Sequence, residues 1–184
     1  MRARLVQDVD ALIVSGGKSA RSWGRFSGIV EEVMFALALG KPVYVLGWRS
    51  EAALTAAQLL GLGDSLVNSN FSFKSEEGLR AEDIAPKFKN CFTLPGIPAL
   101  PTEIPDVCQY LMEHAVNTPL WPWNGLQLDE NRKLADEKLP EEGWPLLASL
   151  IMKGLRRLDW TDRRAPAQGS VIAASAHSTA QASG

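Results

Sequence analysis

Two cysteines, Cys91 and Cys108, are all that the sequence contains, with no CxxC pair and with His114 as the only histidine near either. That scarcity excludes a disulfide framework, offers no zinc ligand set, and leaves both thiols as candidates for burial. An excess of charge of one sign is also lacking. Lys and Arg total 19 against 21 Asp and Glu, a net charge of −2. No basic stripe is available to neutralise a row of phosphates, so a nucleic-acid polymer is not expected as a partner. Nowhere do ~18 apolar residues run together, and the charged start Met1–Asp10 has no signal-peptide stretch. These absences predict a cytoplasmic protein with no membrane partner. No repeat of about 20 to 50 residues recurs, which excludes solenoids and propellers. What is plentiful is ordinary apolar side chain: 46% of 184 residues, against 22% charged, enough for one domain with a real core.

The apolar residues are grouped in a telling order. Ala11-Leu12-Ile13-Val14-Ser15 is short, rich in β-branched residues and closed by Gly16-Gly17, which predicts a buried strand running into a tight turn. The polar stretch Lys18–Ser27 reads as a loop. Gly28–Leu39 is apolar nearly all round except at Glu31 and Glu32, and Gly40-Lys41-Pro42 supplies a helix stop. Pro42–Gly47 repeats the strand-then-glycine pattern, completing a parallel βαβ unit. Glu51–Leu60 reads as a second helix, ended by Gly61 and Gly63. Residues 64–90 are polar and poorly periodic, Asn90–Leu94 reads as an edge strand, and Asp106–Val116 as a helix after the loop Pro95–Pro105.

From Thr118 the character changes. Pro119–Gly125 reads as a rigid aromatic linker, followed by a charged helix near Asp129–Lys138 and an amphipathic helix over Trp144–Leu158. Beyond Asp162 the Ala, Ser, Gln and Gly composition predicts disorder. The expected division is a Rossmann-like α/β unit at 1–118, a helical extension at 119–160 and a tail at 161–184. Two clear strands are few for a doubly wound sheet, and the chain opens almost directly on a central-looking strand, so N-terminal strands of this sheet are expected to be missing.

In open α/β sheets ligands bind beyond the carboxyl ends of the strands, where Gly16, Gly17, Gly24 and Gly28 fall. Glycines there let backbone N–H groups approach phosphate oxygens, and the helix starting at Gly28 directs its positive dipole end toward them. Lys18 and Arg25 flank the turn as candidate phosphate contacts, and Ser27 stands at the N-cap. Two tight turns and two first-turn acids are the plain alternative. Glu32, one turn into an otherwise apolar helix, is placed to contact a ribose hydroxyl or act on a glycosidic carbon. Trp48 and Arg49 follow the second strand, where stacking on a base or ordinary packing are both open.

The run from Asp10 to Lys18, then Gly24-Arg25-Phe26-Ser27-Gly28-Ile29-Val30-Glu31-Glu32, then Gly40–Gly47, resembles the SLOG superfamily. That superfamily joins the cytokinin-activating phosphoribohydrolases, DNA-processing proteins, the cytosolic head of TRPM channels and sensor domains of bacterial defence systems. The likeness spans roughly residues 2–62 and is strongest to the sensor-type branch. Asn124-Gly125-Leu126, Glu130-Asn131, Leu134 and Lys153-Gly154-Leu155 resemble the end of such domains.

The resemblance implies an α/β, Rossmann-like parallel sheet flanked by helices, with a C-terminal helical cap. It also implies a nucleotide or ADP-ribose-type ligand, with phosphates at Gly16, Gly17, Gly28 and Ile29. Gly47 closes the second strand on the same side, and no cofactor is expected. The phosphoribohydrolases carry Pro-Gly-Gly-x-Gly-Thr-x-x-Glu, of which this chain keeps Gly28 and Glu32 but has Ile29 for the threonine. A second catalytic group is not evident: His114 is remote in sequence and His177 lies in the tail. The leading expectation is therefore a non-catalytic sensor, as a homodimer or within a larger effector assembly. The alternatives are an N-glycosidic-bond enzyme using Glu32, either phosphoribohydrolase or deoxyribosyltransferase, and a protein-contact module with no ligand.

Overall fold

The computed structural model describes residues 2–17, 27–47, 51–63, 99–135 and 143–161. The chain opens with a helix, α1 (Arg2–Asp8), ahead of strand β1 (Leu12–Ser15). The sequence reading places a strand first, and the reason for the difference is tertiary. Seven residues are too few to hold a helix alone, and α1 instead buries Ala3 and Val6 against the helix that follows β1. Its carboxyl end is pinned by Lys41, whose Nζ donates to the carbonyls of Gln7, at 2.6 Å, and of Val9. Burial lowers the Lys41 pKa, against the pull of Asp10 and Asp8.

β1 and β2 (Val43–Leu46) are parallel, with Leu12 opposite Val43 and Ser15 opposite Leu46. Their connection is α2 (Gly28–Ala38), whose Val30, Val33, Met34, Phe35, Ala36 and Leu37 are all buried. Gly40 ends it at φ +64°, with its N–H donating to Leu37 O at 3.0 Å and that of Lys41 to Ala36 O at 2.9 Å. This is a Schellman stop, and glycine is there because the turn needs a left-handed residue. α3 (Glu51–Leu59) ends the same way through Gly61 and Leu62. α4 (Ile104–Glu113) starts two residues before the expected point, since Pro105 fits a first helical turn that has no use for its missing N–H. It buries Val107 and Leu111, and the Val116 N–H donates to Leu60 O at 2.9 Å.

The strand faces separate two cores. Leu12, Val14, Val43 and Val45 join α1 to α4 in the larger cluster, with Trp121 packed against it. Tyr44 and Leu46 face the other way, onto Leu126, Leu134, Leu147 and Leu150. Those last residues belong to α5 (Leu128–Ala135), to α6 (Trp144–Arg157) and to the turn before α5. β2 is thus covered on both faces, as parallel strands require, whereas Ile13 of β1 is 50% exposed. The architecture is α/β and Rossmann-like, with a two-stranded parallel sheet among the described residues. No described helix is long and apolar enough to cross a membrane. The expected strand at Asn90–Leu94, the polar stretch 64–90, the loop from Lys18 to Phe26 and the tail beyond Asp162 lie outside the described residues.

Candidate functional site

At the carboxyl end of β1, Gly16 and Gly17 take φ of +80° and +89°, the left-handed region that side chains avoid. The two glycines then differ. A Cβ on Gly17 would stand 2.7 Å from Ile29 Cγ1 and 3.1 Å from Ala52 Cβ, so Gly17 is where α2 and α3 close on the strand. Its carbonyl accepts from the Ala52 N–H at 3.3 Å. A Cβ on Gly16 would meet nothing within 4 Å. Gly16 is the open half of the turn, free to present its backbone to a ligand.

Ser27 begins α2 and is 3% exposed. Its carbonyl accepts from Val30 and Glu31 N–H at 3.0 and 3.3 Å, as an N-cap carbonyl should. Its hydroxyl does not cap the helix. Instead Oγ points at the strand-end turn, 3.3 Å from the Cβ position of Gly17. A hydroxyl at an anion-favouring helix end, not used to cap that helix, can also donate outward.

Arg2 reaches over the same helix start. Its Nε, Cζ and Nη2 lie 2.5 to 2.6 Å from where a Cβ on Gly28 would stand, so the guanidinium occupies the space that glycine leaves. Nη1 donates to Glu31 Oε2 at 2.9 Å, and Nε stands 3.6 Å from Glu32 Oε1. Burial raises the Glu32 pKa, Arg2 opposes this, and the Glu31 charge adds to it. The result is a shielded carboxyl that holds its proton more readily than an exposed glutamate.

The structure therefore brings Gly16, Gly17, Ser27, Gly28, Ile29, Glu31 and Glu32 to one place. Gly47 serves a different contact: a Cβ there would sit 2.5 Å from Ala135 O, so its smallness admits the end of α5 over β2. Lys18, Gly24, Arg25, Trp48 and Arg49 lie outside the described residues. His114 is engaged at the end of α4, with Nδ1 2.8 Å from Tyr110 O and its ring stacked on Tyr110. Arg2 was missed by sequence reasoning. The signal existed only as an arginine on a short segment with apolar positions three apart, Ala3 and Val6.

A second polar constellation lies on the opposite face of β2. Asn124 is fully buried, donates through Nδ2 to Val43 O and Asn131 Oδ1 at 2.8 and 2.7 Å, and accepts at Oδ1 from the Leu126 N–H at 3.1 Å. Tyr44 donates its hydroxyl to Asn124 O at 2.6 Å. Glu130 accepts from the Gln127 N–H at 2.9 Å, the reciprocal half of a capping box. It also pairs with Lys153 and, at 3.1 Å, with Arg157. The Lys153 hydrogen bond, then that from Gln127, hold its pKa down to about 2. Gly125, at φ +81°, and Gly154 let two backbones cross, since a Cβ on Gly125 would stand 2.1 Å from Gly154 O.

Compared with known proteins, residues 1–134 match the family model described as SLOG cluster2. No curated protein and no solved structure matches the chain.

Proposed function

The chain belongs to the SLOG cluster2 family, and from that premise we propose that it binds and senses a nucleotide-derived ligand without transforming it. The observation that carries this reading is the open left-handed Gly16 beside Ser27 at the start of α2, whose hydroxyl does not cap the helix and stands 3.3 Å from the Cβ position of Gly17. Backbone donors, a hydroxyl and a positive helix end converge there, which suits phosphate oxygens. Lys18, Gly24 and Arg25, which lie between β1 and α2 in sequence, add further contacts to the ligand, Gly47 lies at the neighbouring strand end, and Glu31 and Glu32 meet the ligand's polar groups. The protein acts in the cytoplasm, as a homodimer or as part of a larger effector assembly.

The test is calorimetric titration with AMP, ADP-ribose, cyclic ADP-ribose isomers and NAD, with free base followed by chromatography. Binding without turnover supports the sensor, and absence of binding across the panel overturns it. One observation favours an N-glycosidic-bond enzyme instead: Glu32 is a shielded acid with a raised pKa beside the cradle. Release of free base that disappears in Glu32→Gln establishes that second reading.

A further inference from the structure

We propose that the outward face of α6 is a docking surface for a second copy of this chain, the two helices pairing antiparallel about a two-fold axis at Ala148. α6 lies beyond residues 1–134, so this surface is no part of the family match. It is also separate from the crevice at Gly16, and its failure would leave the ligand-binding reading untouched.

One face of α6 is already used. Leu147, Leu150 and Gly154 are buried, and a Cβ on Gly154 would stand 2.7 Å from Tyr44 Cε1, so this face is seated on β2. On the outward side, Trp144, Ala148 and Met152 recur at helical i, i+4, i+8 spacing and form one row. Trp144 is 51% exposed and Met152 48%, Ala148 is exposed between them, and Leu146 beside the row is 50% exposed. Single exposed apolar residues need no account, but three large ones along one short helix mark a contact surface. Toward the carboxyl end of the same face, Ser149, Met152, Lys153, Arg156 and Arg157 line a shallow concavity.

Two properties select a second copy as the occupant. The first is that the row reads large, small, large, and so complements itself when reversed. Antiparallel pairing sets Ala148 on Ala148, where two backbones can approach, and seats each Trp144 against the other copy's Met152 and concavity. The second is charge. Glu141 and Glu142 precede α6 in the sequence, whereas Lys153, Arg156 and Arg157 stand in its carboxyl half. Glu130 pairs with Lys153 and Arg157, and among the described residues no carboxylate pairs with Arg156. Antiparallel pairing brings each acidic end to the other copy's basic end and opposes the two helix dipoles, while parallel pairing sets like charge on like. A helix of 14 residues is about 21 Å long, less than a standard interface needs, so the pair is expected to dissociate at about 10 to 100 μM.

The experiment is sedimentation equilibrium of the full chain from about 5 to 500 μM, with the melting temperature of each variant measured alongside. The wild type is expected to pass from monomer to dimer across that range. Ala148→Glu sets two carboxylates at the axis and is expected to weaken the dimer by about 100-fold or more at an unchanged melting temperature. Met152→Ala is expected to weaken it by about 5- to 10-fold. Arg156→Glu and Glu142→Lys each change two symmetry-related contacts, for a loss of about 5- to 10-fold apiece, and combined they are expected to return the dimer to within about twofold of wild type. Leu120→Glu, at an exposed apolar residue outside α6, is expected to match the wild type. If Ala148→Glu does not fold, Met152→Ala and the charge pair decide. A wild type that stays monomeric throughout overturns the proposal, and co-sedimentation of that monomer with phosphatidylserine vesicles would assign the face to a lipid surface. A dimer within about twofold of wild type in Ala148→Glu also overturns it, and a combined charge variant that stays weak overturns the antiparallel pairing.

Discussion

The two ends of β2 and β1 use glycine and polar side chains in opposite ways. Around Asn124 the described polar groups have partners, the space beside Gly125 is taken by the Gly154 backbone, and that beside Gly154 by the Tyr44 side chain and the Asn124 carbonyl. Around Gly16 no described atom lies within 4 Å of where a Cβ would stand, and the Ser27 hydroxyl does not cap its helix. A closed polar network specifies packing, whereas an open one is left for something else to complete. Conformation alone does not separate them, since Gly16 and Gly125 have φ of +80° and +81°.

Substitutions sharpen that contrast. Gly125→Ala drives a methyl into the Gly154 carbonyl and is expected to cost about 3 kcal/mol or more by chemical denaturation. Asn124→Ala strands Val43 O and Asn131 Oδ1, for a loss of about 2 to 3 kcal/mol in the same assay. Glu130→Gln is expected to cost about 1 to 2 kcal/mol at neutral pH. Because the folded Glu130 pKa is depressed to about 2 from an ordinary 4.5, its contribution is complete above 4.5 and fades as pH falls toward 2. The wild type should lose stability across that window, and Glu130→Gln should flatten the slope.

The crevice should respond otherwise. Gly16→Ala meets no neighbour, so only the left-handed backbone is penalised, by about 1 to 2 kcal/mol, while ligand affinity falls further than stability predicts. The smallest effect on folding is expected from Ser27→Ala. An N-cap serine ordinarily contributes about 1 kcal/mol, but this hydroxyl caps nothing, so the change should stay within about 0.5 kcal/mol. A drop in ligand affinity without a drop in melting temperature would mark Ser27 as a binding residue. A full capping loss in Ser27→Ala would break the contrast.

The βαβ unit was legible because its signals are local. Apolar runs at 11–15 and 42–46 gave the strands, and Gly40 and Gly61 gave the helix stops through backbone conformation that only a few residues tolerate. α1 was not legible, since its stability comes from Lys41 and from packing on α2, both distant in sequence. The Gly125 and Gly154 motifs were visible only as a likeness, and the reason for them is a crossing that no spacing within one segment reveals. Gly47 illustrates the same limit: its position after a strand suggests a ligand, while its immediate neighbour is the carbonyl of Ala135.

The hydroxyl of Tyr44 meets the carbonyl of a residue 80 positions away. Local pieces such as α2 and its Schellman stop can form early, but closing so long a loop has an entropic cost that must be met before the contact is made. In kinetic terms, the docking of Asn124, α5 and α6 onto β2 is therefore expected to be a late event in folding. Weakening Tyr44 or Asn124 should accelerate unfolding much more than it slows the formation of the βαβ unit.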